Sequence, residues 1–128
     1  MPKLEDLLFD PNQVDKEVLA EILLPYIGIE KDSGKITFKD EWGKLSNKHK
    51  VLVYLLARKA LVVMQIVKQE EEAQGPAEIE ARTGIKGGSL RPSLMGLRRE
   101  GLVDQCSEGY FVPAFKLQAI HSQLTRKN

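Results

Sequence analysis

The sequence predicts a mainly α-helical protein with small β-hairpins, and three observations carry that reading. Apolar residues recur at helical spacing in four stretches. Glycine or proline punctuates the ends of most of them. Two pairs of short β-rich runs flank polar, glycine-bearing turns. At 128 residues the chain has the length of one domain with an extension, enough to bury a core. Its composition, 42% hydrophobic and 29% charged, excludes a disordered or fibrous chain.

The first element is the helix in "QVDKEVLAEILLPYIGI", where Val14, Val18, Leu19 and Ile22 share a face and Pro25 ends the run. "YIGIEKDSGKITF" follows as a hairpin around Asp32-Ser33-Gly34, with Gly34 supplying positive φ at low cost. Trp42, the sole tryptophan, is expected to anchor this extension on the rest. Residues 1–45 thus form an N-terminal helix-plus-hairpin extension packed on a core unit, residues 46–128.

In the core unit Ser46 is a good N-cap, and the pattern is helical from there to about Gln69. Val51 to Val67 is apolar on nearly every side, so this helix needs cover from the extension or from a second subunit. Arg58 and Lys59 interrupt the run and exclude a membrane span. "KQEEEAQG" is expected to be a solvated connector. Pro76 opens a short helix at the position where its missing N–H is harmless, and Gly84 closes it. Ser89 is expected to cap the next helix through the Arg91 amide with Pro92 in the first turn, and Gly87-Gly88 to be a flexible turn, or else a low-bulk entry that lets the helix N-terminus approach a phosphate. Leu90, Leu94 and Leu97 line one face, and Gly101 ends it. "LVDQC" and "YFV" make a second hairpin around Ser107-Glu108-Gly109. After Pro113, Leu117, Ile120 and Leu124 stripe a last helix.

Two short helices joined by a glycine-bearing turn and followed at once by a hairpin resemble the winged helix-turn-helix superfamily of bacterial and archaeal regulators. The resemblance runs through Glu78-Ile79, Arg82-Thr83-Gly84-Ile85, Leu94, Leu97 and Glu100-Gly101-Leu102-Val103, and covers about residues 75–112. Helix 47–69 fits as the helix preceding the motif, while residues 1–45 match no known pattern. The resemblance implies that helix 89–100 enters the major groove of double-stranded DNA. With the leucines inward, Pro92, Met95, Gly96 and Arg99 point outward. Ser89, Arg91 and Ser93 are then the base-facing candidates, and Lys48, Lys50, Lys86, Arg98 and Arg99 the phosphate candidates.

Two features depart from that pattern. Pro92, Met95 and Gly96 offer nothing polar, which opens an alternative: a protein-docking surface made of those three residues. The second hairpin carries an acid, Glu108, at its tip where a phosphate-holding wing presents lysine or arginine. Charge is split along the chain. Residues 1–45 hold six Lys against ten Asp and Glu, a net of −4; residues 46–128 hold thirteen Lys and Arg against eight, a net of +5. A mildly basic C-terminal portion fits an anionic partner.

Enzymatic chemistry is not expected. His49 and His121 are far apart, and no phosphate loop, nucleophile motif or carboxylate pair stands out. The single Cys106 excludes an internal disulfide and has no neighbour with which to hold a metal, so neither metal nor cofactor is expected. No N-terminal stretch has the order of a signal peptide, and the expectation is a cytoplasmic protein, with the over-apolar central helix pointing to a homodimer.

Overall fold

The computed structural model describes residues 1–10 and 13–125. Its regular elements run in the order α1 (Lys16–Leu23), β1 (Ile27–Ile29), β2 (Ile36–Phe38), α2 (Asp40–Gly43), α3 (Asn47–Val63), α4 (Pro76–Thr83), α5 (Gly87–Arg99), β3 (Asp104–Cys106), β4 (Gly109–Phe111) and α6 (Leu117–Thr125). The fold is mainly α-helical, with two separate two-stranded antiparallel hairpins.

The centre is α3. Ser46 caps it, its hydroxyl accepting from the His49 amide at 3.3 Å. Residues Val51 through Ala57 are all buried, because neighbours surround the helix: α1 and α2 from the N-terminal part, α4, α5 and β4 from the C-terminal part. Val18, Leu19, Ile22, Ile27 and Trp42 belong to the same apolar cluster as Leu52, Leu55, Ile79, Leu90 and Ile120. The cover for α3 is therefore intramolecular, which removes the argument for a homodimer drawn from its sequence.

The helix also ends earlier than its apolar run. It stops at Val63, not near Gln69, through a left-handed Gln65 at φ 63°. The Ile66 amide reaches back to the Leu61 carbonyl and that of Gln65 to Val62, the paired bonds of a Schellman closure. Glutamine stands where glycine ordinarily does, so the stop carries no sequence mark. The chain then turns back, and "KQEEEAQG" is not a solvated connector throughout. Glu72 pairs with Lys59 at 2.9 Å, their side chains only 11% and 9% exposed. Gln74 accepts from the buried Tyr54 hydroxyl at 2.7 Å, and burial pushes that phenol's pKa up, keeping the proton it donates.

The N-terminal hairpin pairs Ile27 with Phe38 and Ile29 with Ile36, and Gly34 turns it at φ 73°. Phe38 stacks on Trp42 with ring centroids 3.9 Å apart. The Trp42 indole N–H donates to the Lys50 carbonyl at 3.1 Å, so the anchor expected of it is made to the first turns of α3.

Candidate functional site

Helices α4 and α5 and the β3–β4 hairpin form the unit in which the sequence places its candidate residues. Gly75 precedes α4, and its amide donates to Glu78 Oε1 at 2.8 Å. Gly84 closes α4 at φ 79°. The chain re-enters a helix almost at once. Lys86 accepts from the amides of Ser89 and Leu90, so α5 begins at Gly87, two residues before the expected start. Gly87 and Gly88 are its first turn and not a flexible linker, and Ser89 is no cap. Pro92 accordingly lies in the second turn, where it lacks the N–H that the Gly88 carbonyl would accept. Gly88 itself is exposed. The Gly87 and Gly88 amides, as first-turn donors, have no acceptor within the helix.

Leu90, Leu94 and Leu97 are buried as predicted, and so is Ser93. The Ser93 hydroxyl donates to the Ser89 carbonyl at 3.0 Å. Buried beside the leucine stripe, it is not on the exposed face where a base-facing side chain would stand. Ser89, Arg91, Pro92, Met95, Arg98 and Arg99 are exposed. Gly96 is only half exposed, and a Cβ there would lie 3.6 Å from the Lys48 Cδ. It therefore sits under the Lys48 stem and adds little to an outward apolar face.

The cations divide into two groups. Lys48 is ion-paired with Glu100, and this contact ties the first turn of α3 to the end of α5. The hydrogen bond from Lys48 holds the Glu100 carboxyl below its ordinary pKa of 4.5. Lys50 lies over the Trp42 ring, 5.3 Å from its centroid, and Arg98 donates to Gln105 at 2.9 Å. These three have structural partners. Lys86, Arg91 and Arg99 are exposed, and no ion pair or hydrogen bond engages their side chains among the described residues. Arg91, Met95 and Arg99 follow one another at four-residue intervals and form one outer stripe of α5.

The hairpin is locked to this unit from behind. Gln74 and Tyr110 exchange both backbone hydrogen bonds, at 2.9 and 2.8 Å, which ties β4 to the segment leading into α4. Gly109 makes the approach possible: a Cβ there would meet the Gln74 carbonyl carbon at 2.3 Å. The sequence places Tyr110 in a strand but gives no sign of its partner Gln74, since glutamine after a polar run carries no strand signal. At the tip, hydrogen bonds from Ser107 and then Cys106 lower the Glu108 pKa, so the tip is anionic at neutral pH. Cys106 is exposed, with its Sγ 3.4 Å from Glu108 Oε1.

His49 and His121 are not brought together. His49 contacts Gln123 at 3.1 Å, and His121 lies 3.9 Å from Glu21. No cluster of three or more His, Cys, Asp or Glu capable of holding a metal occurs among the described residues. No helix among them is long and apolar enough to cross a membrane.

No protein-family model matches the chain, and no solved structure matches it. Over 89 residues it is 27% identical to the small ribosomal subunit protein bS6 of Corynebacterium aurimucosum, covering 70% of this chain and 88% of that protein. A similarity at this level does not assign the chain to that protein's family.

Proposed function

We propose that α4, α5 and the β3–β4 hairpin are a winged helix-turn-helix that binds double-stranded DNA, with α5 as the groove-facing helix and contacts weighted to phosphates. The observation that carries this reading is the outer stripe of α5. Arg91 and Arg99 stand exposed and unpaired on it among the described residues, and Lys86 precedes the first turn of α5, where Gly88 is exposed. Guanidinium groups and free helix N-terminal amides are good phosphate binders. The Gln74–Tyr110 bridge lends support, because it makes the hairpin a rigid neighbour of the helix pair. Base reading rests on Arg91 and, more weakly, Ser89, so specificity is modest. The role is that of a cytoplasmic, transcriptional regulator-like protein without enzymatic activity.

The test is fluorescence anisotropy on a labelled duplex with the double variant Arg91→Ala/Arg99→Ala. At low salt the variant should bind at least about tenfold more weakly, with a salt slope shallower by about 2. Wild-type affinity in that variant overturns the assignment. The similarity to a ribosomal protein makes RNA the competing polyanion, so an RNA duplex is titrated in parallel. Preference for RNA would move the reading to that partner.

A second reading rests on Met95, which is 58% exposed in the middle of the stripe, next to exposed Pro92. A protein partner seated there would be lost on Met95→Glu and indifferent to Arg91→Ala. Gly96 has no part in that surface.

A further inference from the structure

The first ten residues are the least covered apolar part of the described chain. Leu4–Leu7 form a single 3-10 turn with no buried residue. Leu4, Leu7, Leu8 and Phe9 are 82, 74, 79 and 71% exposed. Phe9 makes a ring contact with Phe115, itself exposed, with centroids 6.3 Å apart. Apolar residues at i, i+3, i+4 and i+5 with Glu5 and Asp6 between them make the pattern of a helical segment that inserts into a groove.

A matching groove lies elsewhere on the chain. It runs between α1 and β1 and is closed by the end of α3, with a volume of about 390 Å³. Leu19, Leu23, Leu24, Ile27, Val63 and Met64 line it, and no carboxylate does. Leu24 and Met64 remain largely exposed at its lip. Its charged rim is cationic: Lys16 lines one end, and the Lys39 ammonium donates to the Leu24 carbonyl at 2.7 Å. An apolar groove with two lysines at its edge complements an apolar segment bearing Glu5 and Asp6.

We propose that residues 4–9 of one chain occupy this groove on a second copy, and that the exchange is reciprocal, giving a closed two-fold dimer. Each chain carries both halves of the contact, so two copies can satisfy one another, and a reciprocal exchange closes the assembly at two where a one-way exchange would extend it into longer chains. The proposal is independent of the DNA-binding reading. It replaces the central-helix argument for a dimer with a surface that is open.

Sedimentation velocity of the full chain across a range of concentrations tests it. The mass should rise towards twice the 14.4 kDa of the monomer. Leu7→Glu/Leu8→Glu alters the segment, and Leu24→Glu/Met64→Glu alters the lip of the groove. All four positions are exposed, so each variant should retain its far-ultraviolet circular dichroism, and each should be monomeric alone. Mixed in equal amounts they should form a weaker heterodimer, because one intact segment again faces one intact groove. A wild-type chain that stays monomeric overturns the proposal, including the case in which the segment covers its own groove. A dimer that survives in either variant, or a mixture that fails to associate, overturns it as well.

Discussion

The two hairpins have the same construction and opposite surroundings. Each has three-residue strands in antiparallel register. The first presents Ile27, Ile29, Ile36 and Phe38 to the core and is sealed by the Phe38–Trp42 stack. The second has a fully exposed strand, Asp104–Cys106, and an anionic tip. It is fixed along one strand, by the Gln74–Tyr110 backbone bonds and the packing of Tyr110 on the core, while the other strand stays exposed. A hairpin whose two strands both pack on the core has few side chains of its own to offer, beyond the wall that β1 lends to the apolar groove. One held along a single strand keeps the side chains of the other available, and this is the property a binding element needs.

Substitutions in the two hairpins should therefore separate stability from binding. Trp42→Ala removes the seal of the first and should cost about 3–5 kcal/mol in urea unfolding. A loss below about 1 kcal/mol would show that the stack is not an anchor. Gly109→Ala strikes the lock of the second. Its φ of 139° and the Gln74 backbone 2.3 Å from the added carbon should cost about 3 kcal/mol. Amide exchange should then speed up at Gln74 and Tyr110 before it does at β1. Glu108→Lys leaves both hairpins intact, with stability changed by less than about 0.5 kcal/mol. Duplex binding should tighten several-fold, and the salt slope should steepen by about 1 if the tip lies near phosphate. Unchanged binding would place the tip away from the nucleic acid.

The smallest effect belongs to the Lys48–Glu100 clasp, just before the second hairpin. Glu100 has a lowered folded-state pKa, so its contribution is present above pH 4.5 and is lost as pH falls below that value. Because the pair is partly exposed, the contribution is under about 1 kcal/mol. Lys48→Met should flatten the dependence of Tm on pH in that acidic window, and an unchanged profile would remove the clasp from the account.

What the sequence made legible follows the residues whose chemistry marks a boundary. Ser46, Gly84 and Gly101 each announce a cap or stop, and the helices end or begin at them. The missed boundaries are made by residues that announce nothing. Gln65 takes a left-handed turn in place of glycine, and Lys86 begins α5 through its backbone carbonyl alone. The site was legible where helical spacing decides exposure, as at Arg91, Met95 and Arg99. It failed at Ser93, which lies beside the leucine stripe, and at Lys48 and Lys50, whose partners Glu100 and Trp42 are set by tertiary packing. No local pattern reports contacts of that kind.

The salt dependence of wild-type binding to a labelled random duplex decides whether the outer stripe of α5, with Lys86 at its start, is a phosphate-binding face. Lys86, Arg91 and Arg99, unpaired among the described residues, predict a slope of log K against log salt of about −3. Absence of binding at low salt, or a slope near zero, would exclude that role.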